Sequence, residues 1–463
     1  MERLDGYQVS GTEIVFKGAW CCVNEKKAVL LNNTGHIILL DKELFNSVVN
    51  KRMDEDLAFK LLQRGFAYVK GLPADDYEDD IDISPQFFMV DFTNRCNMDC
   101  SYCLRERDRQ NSKPRIIDYK MLDTIADCLS NYCQSNGIDR IVIQPWGGEP
   151  LLEKDKILYF QDLLIERKVN AEFSIESNGL LLNDSTIEEF AKRNIFVSIS
   201  IDGYQEIQDY QRRLVGGKKS HPLVSDAINR LKKTEKEHTA VLATITKYSA
   251  DKVEDILEYF AVELGIKRVK LNFVHKSSFV DNESLCLNPE EISDCIERLF
   301  YKELELLKRG YQIYEYNICT KLRNLVLNEK ADICVCRGCN GGKKMLTIDC
   351  KGDVYPCDVT DYPEEKIGNI SDKRDFIQMV QDSLDQTPYF MKKHDDKCDT
   401  CPWYYYCRGG CTVHVKCAGK PAGSIDDIEC ATNTVLYPLL VKLILEEPDI
   451  ANALLEQNAL ELI

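Results

Sequence analysis

From Gln86 to Val274 the chain repeats one pattern six times: a short apolar run, followed in most cases by a stretch of helical periodicity. The apolar runs are "QFFMVDF", "RIVIQPW", "AEFSIES", "FVSISID", "AVLATIT" and "RVKLNFV". Between them lie segments such as "DYKMLDTIADCLSNYC", "STIEEFAKRN" and "SADKVEDILEYFAVELG". A strand followed by a crossover helix returns to pair in parallel with its predecessor. Six such units predict an α/β core with a parallel sheet, either curved into a partial barrel or opened into a doubly wound sheet.

The cysteines narrow this further. The N-terminus, "MERLDGYQVSGTE", is polar and charged and has no export pattern, so a cytoplasmic location is expected. In that reducing compartment 21 cysteines are not a disulfide framework, and metal ligation is the leading alternative. Cys96, Cys100 and Cys103 form a C-x3-C-x2-C array in "NRCNMDCSYCLRE", just after the first strand. Loops at strand C-termini carry the active site in β/α barrels. A cuboidal four-iron cluster has four corners, and three thiolates hold three of them. The fourth iron is then open to a substrate or cofactor. A zinc loop completed by a distant residue is the competing reading. Eleven more cysteines fall between Cys334 and Cys430, in a turn-rich segment that reads as stapled by metal rather than built on an apolar core.

Composition excludes some partners. A net charge of −17 speaks against a nucleic-acid backbone. No apolar run reaches membrane-span length; "VLYPLLVKLIL" is short and carries a lysine. Neither nucleic acid nor membrane is therefore expected as a partner.

Ahead of the repeats, "EIVFKG", "KAVLLNN" and "GHIILLD" predict short strands, and "DKELFNSVVN" and "DEDLAFKLLQRG" predict two helices opened by aspartates. "GLPADDYEDDIDISP" follows as an acidic linker. Near the C-terminus Pro448 is placed to start a second helix.

Several motifs together carry a family resemblance. The three-cysteine loop, with the aromatic Tyr102 before its last cysteine, resembles the radical S-adenosylmethionine (SAM) superfamily. "GGEP" (Gly147, Gly148, Glu149, Pro150) follows the second strand, "ESNG" with Ser177 and Asn178 the third, and "SISIDG" with Ser200 and Asp202 the fourth. The glycines also suit close approach of a backbone to a ligand. "IQDYQRR" and "GGKKS" resemble a stretch of the peptide-modifying branch, which implies that Arg212, with Arg213 beside it, meets the SAM carboxylate. Tyr102, Gly147, Gly148, Glu149, Ser177, Asn178, Ser200, Asp202 and Arg212 are the implied SAM site.

The later cysteines resemble a SPASM domain, with two auxiliary [4Fe-4S] clusters. The resemblance implies a first auxiliary cluster on Cys339, Cys357 and Cys411, with Cys334 or Cys336 as fourth ligand or one iron open. It implies a second on Cys398, Cys401, Cys407 and Cys430. Asp358 follows Cys357, where sulfatase maturases of this superfamily carry an aspartate base. The N-terminal unit resembles the winged-helix-like leader-recognition domains of enzymes that mature ribosomally made peptides.

The expected architecture is thus a leader-recognition unit and linker (1–80), a partial (β/α)6 TIM barrel of radical SAM type (81–310), a SPASM domain (311–433) and C-terminal helices (434–463). The expected cofactors are SAM and three [4Fe-4S] clusters. The expected partners are a precursor peptide of leader plus core and an electron donor such as flavodoxin or ferredoxin. Thioether crosslinking of a peptide cysteine is the leading activity. Formylglycine formation in a sulfatase and carbon–carbon crosslinking of aromatic residues are the alternatives.

Overall fold

The computed structural model describes residues 1–3, 14–16, 19–50, 55–69, 82–105, 113–234, 239–277, 280–358, 363–384 and 388–456. Most of the acidic linker, and the Asp54 expected to open the second helix, lie outside the described residues.

The N-terminal unit is an antiparallel meander of β1 (Ala19–Val23), β2 (Lys27–Asn32) and β3 (Ile37–Asp41), followed by helices α1 (Lys42–Val49) and α2 (Glu55–Gln63). Ile14–Phe16 pairs separately with Ala67–Val69. Strand β1, "AWCCV", is absent from the expected elements. Successive residues of β2 serve opposite faces. Ala28 and Leu30 pack with Phe45, Val48, Leu57 and Leu61, whereas Val29, Leu31 and Leu39 join the core of the rest of the molecule. With both faces buried, β2 shows no polar alternation, the pattern of a strand covered on both sides.

The six expected strands all form: β4 (Phe87–Thr93), β5 (Ile141–Gly147), β6 (Ala171–Ser177), β7 (Ile195–Ser200), β8 (Ala240–Ile245) and β9 (Arg268–Phe273). Each pairs in parallel with the next, in chain order, as in a partial (β/α)6 barrel. The helix Tyr119–Asn136 after β4 starts where the Asp118 side chain accepts the Met121 N–H, and stops at the left-handed Gly137. Along β6 and β7 the period of two sorts the side chains. Phe173, Ile175, Val197 and Ile199 are buried, and Ser174, Glu176, Ser198 and Ser200 between them are half-buried.

The cysteine-rich segment is more than a metal-stapled appendage. Its strand β10 (Met345–Ile348) pairs in parallel with β4, and β11 (Asp353–Tyr355) extends the same sheet antiparallel. Leu346, Ile348, Val354, Phe376 and Met379 belong to the barrel's core. The helix Asp427–Glu446 is long and apolar enough by composition to cross a membrane. Here it packs inside the molecule, against the helix Pro289–Lys308 and against β1 and β2, with Leu436, Tyr437, Leu440 and Ile444 buried. It begins before residue 434, so the expected boundary falls within a helix, and Cys430 rides on its first turn. Pro448 opens the final helix, Pro448–Leu455, as expected.

Candidate active site

After β4 the chain forms the three-cysteine loop. Its short strand Met98–Cys100 pairs antiparallel with Arg212–Leu214, which sets Arg212 opposite Cys100. Cys96, Cys100 and Cys103 border a cavity of about 150 Å³ that also meets Trp146, Asn178, Ser200 and Arg212. Sequence reasoning thus assembled residues from four different strand ends around one hollow.

Several implied SAM residues are occupied with holding that hollow in shape. A Cβ on Gly147 would lie 2.0 Å from the Thr93 carbonyl oxygen, and one on Gly148 2.2 Å from that of Arg95. The N–H groups of Gly148 and Glu149 donate to those same carbonyls at 2.7 and 2.8 Å. The two glycines are therefore required by chain packing on chain, a different reason from approach to a ligand. The buried Glu149 carboxylate accepts from Leu151 N (3.1 Å), Ser177 Oγ (2.9 Å) and Asn178 N (2.8 Å), tying β5 to the end of β6. Asn178 Nδ2 donates to Asn97 Oδ1 at 2.7 Å, which fixes the cysteine loop. Asp202, fully buried, accepts from Tyr102 Oη (2.9 Å), Gln211 Nε2 (2.8 Å) and Thr244 N (3.0 Å). Burial pushes its carboxyl above the usual range, with Arg212 opposing.

Arg212 Nη1 donates to Tyr102 Oη at 2.6 Å. Its Nε and the Trp146 Nε1 are buried with no hydrogen-bond partner among the described residues. Two orphaned donors beside three thiols fit a ligand carrying both a carboxylate and metal-chelating groups, as SAM does on an iron–sulfur cluster. Arg213 turns outward instead, over the Tyr210 ring at 5.7 Å.

Two further cysteine groups form. Cys334, Cys339, Cys357 and Cys411 lie within electrostatic reach of one another. Cys336, the other candidate for the fourth place, is buried beside Lys321 and Arg337, with Sγ 3.8 Å from the Glu329 carbonyl oxygen. Cys398, Cys401, Cys407 and Cys430 form the second group. No disulfide links any of the 21 cysteines. Among the described residues, no three His, Cys, Asp or Glu side chains converge as the ligands of a single metal ion. A multi-iron cube needs its thiolates spread around a larger body.

Residues 90–260 match the radical SAM superfamily, and residues 320–402 match SPASM, an iron–sulfur cluster-binding domain. The chain belongs to the radical SAM superfamily. It is a radical SAM enzyme with a SPASM domain, and SAM and [4Fe-4S] clusters are its cofactors. It is 25% identical over 355 residues to a cysteine-type anaerobic sulfatase-maturating enzyme of Clostridium novyi, spanning 73% of this chain and 90% of that protein. A serine-type anaerobic sulfatase-maturating enzyme of Bacteroides thetaiotaomicron is 24% identical over 343 residues, 68% of this chain and 80% of that protein. Among solved structures, native anSMEcpe with bound AdoMet superposes with a TM-score of 0.66 at 20% identity, over 78% of this chain and 100% of that one. Streptococcus suis SuiB bound to precursor peptide SuiA gives 0.54 at 15% identity, over 89% and 99%. At those identities the two structures establish the fold.

Around Asp358, the candidate base, this radical SAM barrel gathers residues that no motif announced. Asp358 is exposed, accepts from Cys357 Sγ at 3.3 Å, and lies within electrostatic reach of Glu176 on β6, His275 after β9, and His414. Lys270 of β9 stands over the Tyr316 ring at 4.6 Å, within reach of Cys334 and Glu176. His414 Nδ1 is 2.9 Å from Asp426 Oδ2, and its ring centre is 4.6 Å from that of His275. Burial, aided by His414, pushes His275 down to about 4. Lys270, His275, His414 and Asp426 come from segments far apart in the chain, so spacing carries no signal for them.

Proposed function

We propose that this radical SAM enzyme oxidises a cysteine or serine side chain in a peptide to an aldehyde, with Asp358 as the base. The observation that carries the reading is the place of Asp358: one residue beyond Cys357, whose Sγ donates to it at 3.3 Å, exposed, and within electrostatic reach of Glu176 and His275. Relatives matching about 70% of the chain are sulfatase-maturating enzymes by name, which supports the same chemistry.

Cys96, Cys100 and Cys103 would hold a four-iron cluster that, with SAM bound beside it, would supply the one-electron chemistry for removing hydrogen from an unactivated carbon. Arg212 would bind the SAM carboxylate, and Ser200 and Trp146 would line the remainder of its site. Tyr102, Glu149, Ser177, Asn178 and Asp202 would keep those contacts in position. Cys334, Cys339, Cys357 and Cys411 would hold one auxiliary cluster, and Cys398, Cys401, Cys407 and Cys430 the other. Asp358 would take the proton of the substrate thiol or hydroxyl.

A second reading, intramolecular thioether formation, is favoured by the N-terminal unit. Its strand β3 is an edge of the sheet, open to pairing with a leader strand, and Phe59 on α2 is 57% exposed.

The test is Asp358→Asn with a peptide spanning the modified cysteine of a sulfatase. Formation of 5′-deoxyadenosine should persist, while aldehyde product falls about 10²–10⁴-fold. Mass spectrometry separates the readings: aldehyde formation removes sulfur, whereas a thioether removes two hydrogens and keeps it. Wild-type product formation by Asp358→Asn would remove the base.

A further inference from the structure

The arm that pairs with the three-cysteine loop has a second side. Arg212 turns inward, but Arg213 lies opposite Asp99 and Leu214 opposite Met98, and Val215 N reaches Asn97 O at 3.3 Å. The arm turns at Gly216 and Gly217, with φ of +87° and +77°, and a Cβ on either would meet nothing within 4 Å. Its tip therefore stands in the open. Val215 is 62% exposed, and Tyr210 is 43% exposed and stacked on Tyr248 at 3.9 Å.

The charge here reverses that of the whole. On a chain of net charge −17, the arm and the loop it pairs with expose four cations, Arg95, Arg213, Lys218 and Lys219, and one carboxylate, Asp99; a second exposed carboxylate, Glu206, lies at the border beside Tyr248. Lys218 and Lys219 make no ion pair among the described residues. Other nearby charges are engaged: Lys247 with Glu291, Lys252 with Asp251, Glu206 with Tyr248 Oη, and Asp209 with the N–H groups of Ser220 and His221.

We propose that this arm is the docking surface for the electron donor, a small acidic flavodoxin. The inference rests on the radical SAM chemistry, which needs one electron delivered at Cys96, Cys100 and Cys103. One side of that loop borders the cavity. The arm covers another side at the distance of one paired strand, roughly 5 Å between facing Cα atoms. Cations around the arm steer an acidic partner. Val215 and the Tyr210–Tyr248 pair supply an apolar centre that suits the edge of a flavin ring. In the transfer, the donor's reduced flavin loses one electron and the cluster gains it.

The test compares wild-type holoenzyme with Lys218→Glu/Lys219→Glu. With dithionite, which needs no docking, both should form 5′-deoxyadenosine at the same rate. With reduced bacterial flavodoxin at low salt, the variant should be about tenfold slower, and its affinity in a flavodoxin titration should weaken to match. Added salt should slow the wild type with flavodoxin but not with dithionite. Equal flavodoxin affinity and rate in both proteins would overturn the proposal. So would reduction by a ferredoxin but not by flavodoxin, or an equal loss with dithionite, which would make the arm structural. No cleavage of SAM by wild type with dithionite would instead count against the radical SAM chemistry itself.

Discussion

Tyr102 stands between an acid and a base in the wall of the cavity at the three-cysteine loop. Its hydroxyl donates to the buried Asp202 and accepts from Arg212, and Asp202 keeps two other donors while the Arg212 guanidinium has no other hydrogen-bond partner among the described residues. Removing the hydroxyl therefore releases Arg212 more than Asp202. Tyr102→Phe should weaken SAM binding about tenfold, the loss of one charge-assisted bond, while leaving iron content unchanged. Equilibrium SAM binding checks this, and affinity within twofold of wild type would contradict it. At this scale the sequence exposes what chemistry demands and hides what geometry demands. Cysteine spacing and the "GGEP" and "SISIDG" motifs picked out residues that the fold gathers around one hollow. That Glu149 and Asp202 turn to their neighbours, and that Cys336 reaches the Glu329 carbonyl, depends on side-chain direction, which spacing does not encode.

The turn between β2 and β3 shows the same division among elements. Gly35 has a φ of +75°, and a Cβ there would stand 2.0 Å from Tyr405 Cε1. Tyr406 Oη donates to the Gly35 carbonyl at 3.1 Å. Both tyrosines belong to "CPWYYYC", between Cys401 and Cys407. Arg337 of the Cys334–Cys339 loop stacks over Tyr405 at 4.8 Å and donates its N–H to Tyr406 O at 2.7 Å. One glycine turn thus rests where the loops of both auxiliary cysteine groups meet. Gly35→Val combines a strained backbone with displacement of a packed ring, a cost of about 3 kcal/mol. Thermal unfolding should move to lower temperature, and SAM binding at the distant three-cysteine loop should be preserved. An unchanged melting temperature would show that the turn is not seated on Tyr405. The barrel strands were legible because six apolar runs recur, most of them followed by a helical pattern, and β6, β7 and β8 also alternate. Strands β1 and β10 were not: "AWCCV" and "MLTI" are short and nearly continuously apolar, and the pairing of β10 with β4 joins residues some 258 positions apart. Nothing local selects such a partner.

Across the molecule, the units read separately from the sequence share one core. The outer face of β2 and β3 contributes Val29, Leu31 and Leu39 to it, each at most 5% exposed, and β1 and β2 lie against the helix Asp427–Glu446 that carries Cys430. A leader-binding unit on an independent tether could be removed without consequence for the rest. This one could not. Each of the three side chains is worth roughly 1.5–3 kcal/mol on burial. Together they approach the net stability of a typical domain. A chain that starts at Asp82 should therefore expose the apolar side of that helix, bind a hydrophobic dye, melt at lower temperature than the full chain and tend to associate. It should also lose iron from the Cys398, Cys401, Cys407 and Cys430 group before the three-cysteine loop, because Cys430 sits on the uncovered helix. Full-length Leu31→Ala should show a milder form of the same loss, about 2–5 kcal/mol, and so separates undocking from deletion. A truncated chain that stays monomeric, binds no dye and keeps its melting temperature would restore the tethered arrangement.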